Sequence, residues 1–598
     1  MKVMFFSPFA NIWPHAFPEA LIAESLAERG ADITVVRCGR YMQSYCVAMS
    51  AAGLAPTDSA EKRARVCTGC EKRARLIDRE VGLPSLLIDD WIRSEDRARV
   101  EDLVAEVTGT DWTELEVDGH PLGRFAGYEL WLTEKLVDGD LDDRLFARYR
   151  DQLRNTLLTY FGAKRLLAEG PKPDVVIVYN DHYSAPHAFV VAAADAGVPT
   201  WTLQGGAHIQ RKLESMTMLR SEVTLEDVFR SPAWQRARHT PIDRAGVGLV
   251  GEHFAGLLQA ASAFAYSSGF AGSSPAELRT RLGIADGRRV LLAAMSSEDE
   301  LLAMRLIGRL PDTSVSESLF GDQFEWIEAV YRYAAAHPDV HVVVRPHPRM
   351  FPNKREQVRA GAVNRIELLQ AEAPANVTYN LPADAIGLYD LMQIVDVLLN
   401  YRSTTGAELA AFGIPVVSPA NRDFFTYPAE LHRVGRTAEE FDRHITAALA
   451  EGWSIEQARA AFRWFAFLFD RIAVDMSDGV HDRPIAFRPK QPGRLLRLYN
   501  WAAFVFLQYG PLVRERAALR GRRMSAQSGD VFDDVITHDL ASASDSSRWP
   551  ESYATIADET AAISDYLWRT ADELWRDVTE PGSLAERIRR GVAAARSR

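Results

Sequence analysis

The sequence predicts an α/β protein built from two parallel, doubly wound sheets, with a helical insertion in the first half and a helical C-terminal tail. Three stretches carry that expectation. The chain opens as strand–helix–strand, with apolar runs at residues 2–7 and 32–36 around an amphipathic helix at 17–29 that Gly30 ends. Residues 173–206 repeat the pattern, with strands at 175–179 and 199–203 around a helix at 185–196. A third block, residues 341–419, reads strand, polar loop, strand, short helix, Gly413 and strand. Short apolar runs alternating with helices mark parallel sheets, whose strands are buried on both faces.

With 598 residues the chain is long enough for two or more domains. The pattern divides it into a first domain at 1–250, a second at 280–455, a crossing helix within 456–480 and a tail at 481–598. Apolar residues make up 47% and charged residues 25%, as in ordinary globular protein. A formal charge of -12 argues against a general nucleic-acid binder, which is usually basic. The first seventeen residues carry one lysine and an apolar run broken by Pro8, Pro14 and His15, unlike a secretory signal. No run of about 18 apolar residues exists, so no spanning helix is expected. These features point to a cytoplasmic protein.

The third block carries the chemistry. In an open parallel sheet, ligands bind outside the carboxyl ends of the strands. The strand at 341–344 ends in Arg345-Pro346-His347-Pro348-Arg349. The strand at 395–399 leads to Ser403, Thr404 and Thr405, where a helix of about 404–412 begins. Hydroxyls and unpaired N–H groups at a helix start hold anions, and Arg345, His347 and Arg349 add positive charge and donors on a neighbouring loop. Glu408, one turn on, is placed to reach a ribose hydroxyl. Ser296 and Ser297, at the tip of the strand at 289–295, read equally as phosphate contacts or as a plain turn. Lys354 and Arg355 read as further phosphate partners or as ordinary surface. Together these residues suggest a cradle for a nucleotide phosphate.

The pair R-P-H-P and S-T-x-G-x-E-x-x-x-x-G-I-P-V-V resembles the nucleotide-binding half of GT-B glycosyltransferases. It is most similar to bacterial capsule and surface-glycan transferases of the Kdo- and sialyltransferase-like groups, which carry an HP motif. The resemblance covers about 1–53 and 173–450. It implies two Rossmann-like domains facing a cleft, with a late helix near 460–472 crossing back to the first domain. His347, Pro348, Ser403 and Thr404 would hold the donor phosphate and Glu408 the ribose. The implied activity moves a sugar, with a CMP-activated acidic sugar favoured and UDP- or GDP-sugars open. The acceptor would be a hydroxyl of a capsule glycan, lipopolysaccharide, lipid-linked glycan or glycoprotein. No divalent ion is needed, because side chains neutralise the leaving group, and no Asp-x-Asp triplet is placed to hold one. Alternatives are a teichoic-acid-type glycerophosphotransferase, a sugar-nucleotide 2-epimerase and an inactive sugar-binding scaffold.

The remaining elements follow in chain order. His15, on the loop after the first strand, matches by position the catalytic base of several inverting members of that fold; packing at the helix start is the plainer reading. All four cysteines, Cys38, Cys46, Cys67 and Cys70, fall in one short stretch. Cys67-Thr68-Gly69-Cys70 reads as a knuckle whose glycine permits a tight turn toward a metal. A structural zinc site is expected, with an iron–sulfur cluster as the alternative and four unrelated thiols as the plain reading. The string EKRAR flanks this knuckle on both sides and reads as a solvated helical face. Residues 83–170 form a charged helical insertion in which Phe125, Tyr128 and Trp131 read as core. The loop after the strand at 175–179 carries Asp181 and His182, rivals to His15 for the base. Small residues at 267–274 suggest a hinge. In the tail, residues 494–510 and the basic run at 514–523 suit packing on the body or peripheral contact with a membrane surface. Residues 525–552 read as flexible, and the last forty or so as helices.

Overall fold

The computed structural model describes residues 1–596 except 137, 138, 140, 213, 224, 260–268, 311–317, 354–356, 421–426, 478–514 and 516–553. Lys354 and Arg355, the tail stretch 494–510, the basic run apart from Glu515, and 525–552 therefore lie outside the described residues. Seven strands open the chain: β1 (Lys2–Phe6), β2 (Asp32–Arg37), β3 (Ser85–Leu87), β4 (Val175–Tyr179), β5 (Thr200–Gly205), β6 (Ser215–Arg220) and β7 (Arg289–Ala294). Six follow: β8 (Val340–Arg345), β9 (Val377–Tyr379), β10 (Val397–Asn400), β11 (Val416–Pro419), β12 (Arg433–Gly435) and β13 (Ala473–Asp475).

The chain forms two compact units. The first comprises Met1–Leu132, Asp138–Val223 and Ile472–Leu540; the second comprises Thr133–Val137, Thr224–Arg471 and Ala541–Arg598. The division falls earlier than residue 250, which lies inside the helix Arg244–Leu258 of the second unit.

In the first unit the strand order is β13-β6-β5-β4-β1-β2-β3. The strands from β3 to β5 are parallel, and β6 and β13 are antiparallel additions at one edge. The helix Trp13–Glu28 starts earlier than its apolar periodicity suggests. Pro14 sits in the first turn, where a missing N–H costs nothing. His15 therefore lies in a helix, not on a loop. The four residues Cys67 to Cys70 form no knuckle either. They sit within the 22-residue helix Ala60–Val81, which Ser59 caps and Gly82 ends with φ 76°. The flanking EKRAR strings are good helix formers, and the exposed pair Glu61–Arg65 at i, i+4 supports them. The insertion is helical at Ser94–Glu106 and Asp143–Glu169, and Phe125, Tyr128 and Trp131 are buried core.

In the second unit all six strands are parallel, in the order β12-β11-β10-β7-β8-β9. Val290 to Ala293, Val342 to Val344 and Val397 to Leu399 are almost wholly excluded from solvent. The helix Ile455–Ala466 closes this part of the chain, and β13 then pairs with β6 in the first unit. The final helices, Ile556–Glu573 and Leu584–Arg596, belong to the second unit. Leu584 N–H donates to Gln393 O at 2.9 Å and Arg587 to Val395 O at 2.7 Å. Both acceptors precede β10, so the tail docks at the amino ends of the strands. None of the described helices is long and apolar enough to cross a membrane.

The tail is fixed by a buried ion pair. Glu559, fully excluded from solvent, accepts from Arg463 Nε at 2.7 Å and Nη2 at 2.5 Å. Removing one partner strands the other charge, so Glu559→Ala should cost about 3–5 kcal/mol in urea unfolding. A loss below about 1 kcal/mol, the range of an exposed pair, would show that the pair does not anchor the tail.

Candidate functional site

Both sheets reverse their winding at one point, and the candidate residues gather there. In the second unit the reversal lies between β7 and β10, as in dinucleotide-binding sheets ordered 3-2-1-4-5-6. Asn400, Ala294 and Arg345 stand abreast in register on β10, β7 and β8. The tips carrying Ser403 and His347 are thus next-but-one neighbours, about 10 Å apart at the usual strand spacing. Ser296 and Ser297 fill the position between them. The loops do not adjoin directly, because β7, the first strand of the unit, occupies the centre of the sheet.

The loop after β10 is held from beneath. Asn400 Nδ2 donates to Ser403 O at 2.8 Å and to the Tyr427 hydroxyl at 2.7 Å. A Cβ on Gly406 would stand 1.8 Å from that hydroxyl, so only glycine fits. Arg402 adopts φ 60°, a left-handed conformation that non-glycine residues rarely take and that concentrates at functional sites. The buried Ser403 hydroxyl donates to Thr405 Oγ1 at 3.0 Å, whereas Thr404 is exposed. Glu408 accepts from the Tyr389 hydroxyl at 3.0 Å, and burial raises its carboxyl pKa. The helix that follows, Thr405–Ala411, is only seven residues long.

The loop after β8 supplies less free charge than its sequence suggests. Arg349 is 5% exposed and pairs with Asp299 at 2.9 Å. Asp299 also accepts from Ser297 Oγ at 2.5 Å, so Ser297 and Arg349 bind the β7 and β8 loops to each other. Arg345 is bonded to Asn380 and to Ile386 O. Burial, then the nearby Arg349, Arg345 and Lys135, holds His347 down at about 4, so its ring is neutral at physiological pH. His347 Nδ1 accepts from Arg349 N–H at 3.2 Å and starts the turn Pro348–Met350. Lys135, 1% exposed, donates to the carbonyls of Arg349, Phe351 and Val358. Sequence reading missed Lys135 and Asp299. Lys135 lies 214 residues from its partner Arg349, so no local motif reveals it.

In the first unit the reversal lies between β1 and β4. His15, Asp181 and His182 gather at this rim. The His15 ring stacks on Tyr179 with centroids 4.0 Å apart, and Tyr183 lies 6.3 Å away. His182 Nε2 is 3.8 Å from Asp181 Oδ1. Asn180, immediately after β4, has φ 53°, a second left-handed residue at a switch point. Burial lowers both His15 and His182 to about 4. Glu19, on the helix that carries His15, titrates nearer neutrality, its carboxyl raised to about 7 by burial. It accepts from Ser7 Oγ at 2.6 Å, and Arg37 donates to the same hydroxyl at 3.0 Å. A buried carboxyl shifted toward neutrality beside the rim is a signal that sequence alone does not show.

The four cysteines come together. Cys38 follows β2, Cys46 precedes the short helix Val47–Ala51, and Cys67 and Cys70 share one face of the helix Ala60–Val81. All four are free thiols lining one cavity of ≈ 290 Å³. Among the described residues, no three His, Cys, Asp or Glu side chains are grouped to hold a metal ion. The single zinc ion expected from the spacing has no such grouping here.

No family model matches the chain, and no curated protein matches it. Among solved structures it is similar to a beta-Kdo 2,4-transferase from Thermosulfurimonas dismutans, at 15% identity over 49% of this chain and 80% of that chain, TM-score 0.29. It is also similar to a calicheamicin glycosyltransferase, at 16% identity over 78% and 94%, TM-score 0.25. A UDP-GlcNAc 2-epimerase from Neisseria meningitidis bound to UDP-GlcNAc gives 11% identity over 78% and 97%, TM-score 0.23. Likenesses at these scores carry no argument, and the strand order within each unit stands on its own.

The rim of the first unit yields a pH test. A carboxyl raised in the folded state from an ordinary 4.5 to about 7 stabilises the fold below pH 4.5, and that contribution is lost as pH rises through 7. Glu19→Gln mimics the protonated form. Its stability relative to the parent should rise between pH 4.5 and 8, on the order of 3 kcal/mol in total. Denaturant unfolding at both ends checks this, and a pH-independent difference would contradict it.

Proposed function

We propose that the chain is a glycosyltransferase that takes a nucleotide-activated sugar at the switch point of its second unit and transfers the sugar to an acceptor hydroxyl. The carrying observation is the row of three strand tips in register, Asn400, Ala294 and Arg345, with a hydroxyl-bearing loop held rigidly on the first. Ser296 and the loop from Ser403 to Thr405 face the place where a parallel sheet binds phosphates. Arg402 and Arg345 supply cationic character there, and Glu408 is the ribose partner. Their task is to stabilise the charge that grows on the leaving phosphate, which preorganised donors do at no reorganisation cost. In this reading no divalent ion takes part.

The acceptor belongs to the first unit. Its hydroxyl proton passes to a base on the β1/β4 rim, drawn from His15, Asp181 and His182. A neutral imidazole accepts a proton without prior ionisation, and burial makes His15 and His182 weak bases at about 4, so the choice among the three rests on the effect of their removal on turnover. The HP pair with the later Ser/Thr loop favours a CMP-activated acidic sugar. The acceptor class that fits such a donor is a surface glycan, a lipid-linked glycan or a glycoprotein.

Incubation with CMP-, UDP- and GDP-sugars, reading nucleotide release with and without acceptor, tests the proposal. Release of CMP that depends on acceptor is expected. Conversion of donor without release would make the protein an epimerase, and tight binding without turnover a scaffold. Thr404→Val removes one exposed hydroxyl. Loss of a hydrogen bond to a charged group is worth about 1.5–3 kcal/mol, so kcat/KM should fall about 10- to 100-fold with the fold intact. Unchanged kinetics would remove Thr404 from the donor site. Asp181→Ala should keep donor binding and lose turnover; full activity would exclude it as the base.

A further inference from the structure

We propose that the four-cysteine cavity of the first unit houses a [4Fe–4S] cluster, one iron on each of Cys38, Cys46, Cys67 and Cys70. The chain has four cysteines in all. They come from three separate elements, yet every one lines the same cavity of ≈ 290 Å³. A mononuclear site is a poor fit. Zinc–sulfur bonds of about 2.3 Å would draw four tetrahedral sulfurs to within about 3.8 Å of one another, and the described side chains show no such grouping. A cubane spreads its four cysteine ligands over four corners and places inorganic sulfide between the irons. Four thiols around an open volume match that demand.

The walls suit such a group. Arg37 lines the cavity at 4% exposure; its Nη2 pairs with Asp78 at 2.7 Å, and among the described residues its Nε finds no hydrogen-bond partner. A buried guanidinium N–H left unsatisfied is costly and would be satisfied by a cluster or cysteine sulfur. Arg40 also lines the cavity, and its backbone N–H already donates to Cys38 Sγ at 3.4 Å. Four thiolates on such a core leave net negative charge; Arg37, Arg40 and Arg75 line the cavity, the first two already paired with its Asp78 and Glu71. Hydrogen bonds to the sulfurs are the lever by which a protein sets a cluster's potential. When a preassembled cluster passes from a thiolate-ligated carrier, four iron–thiolate bonds to the carrier break as four form to this chain, and the four thiol protons pass to the departing thiolates, with no change in oxidation level.

The cluster would also bear on the neighbouring rim. The Cys70 thiol donates to Pro8 O at 3.6 Å, and ligation would remove that proton. Arg37 reaches Glu19 through Ser7, which ties the cavity wall to the helix that carries His15. This inference stands apart from the glycosyltransferase proposal, since it requires no donor or acceptor.

Anaerobic purification of the full chain, followed by assay of iron, acid-labile sulfide and zinc, is the test. About four irons and four sulfides per chain are expected, with sulfide-to-iron charge-transfer absorption that bleaches on reduction. Cys46→Ser and Cys70→Ser should each lose most of the iron. Because those variants are open to misfolding, wild-type protein stripped by chelation and oxidation is measured alongside them. It should keep its far-ultraviolet circular dichroism and regain the absorption with iron, sulfide and thiol. Stoichiometric zinc without sulfide would overturn the proposal in favour of a mononuclear site. Protein that holds no iron and takes up none on reconstitution would overturn it outright.

Discussion

A parallel sheet whose connections reverse direction cannot cover both sides of the reversal with its own helices. At that point the flanking helices depart to opposite faces, and the strand ends stay open. The chain has two such reversals, between β1 and β4 and between β7 and β10. The candidate donor and base residues sit at one or the other. Asn180 and Arg402, both in left-handed backbone, fall directly beyond the fourth strand of their respective sheets. Asparagine takes that backbone readily, whereas at Arg402 it is a strain that surrounding contacts must hold.

Those contacts explain how a polar rim stays ordered above an apolar sheet. Asn400 and Tyr427 grip the loop after β10. Asp299 joins Ser297 to Arg349, and Lys135 ties down three carbonyls of the stretch after β8. The buried charges of Asp299, Arg349 and Lys135 are thereby paired or hydrogen-bonded, as burial demands. The consequence is a division of labour. Arg349 and Ser297 build the platform, while Thr404 remains exposed to meet a ligand.

Much of this was legible in the sequence, and the failures have specific causes. Parallel strands are continuous apolar runs, so residues 341–344 and 395–399 declared themselves, as did the polar tips beyond them. Strand order is not written locally, so nothing in the sequence placed Ser296 and Ser297 between Ser403 and His347. The three-residue spacing of Cys67 and Cys70 is the same in a turn and along one helical face, and the helix-forming EKRAR strings decided for the helix. The antiparallel strands at one side of the first sheet went unread: β13, at the edge, is three residues long, and β6 lies beside it outside the parallel pattern. Burial, which neutralises His347 and shifts Glu19, comes from residues far apart in the chain.

The central claim is that a nucleotide phosphate rests on the tips of β7 and β10. Hydrogen–deuterium exchange of the full chain with and without CMP reads this directly. The account predicts slowed exchange at residues 295–298 and 401–408, with the first unit's cysteine helix unchanged. Binding that protects other segments and leaves those two tips untouched would contradict it.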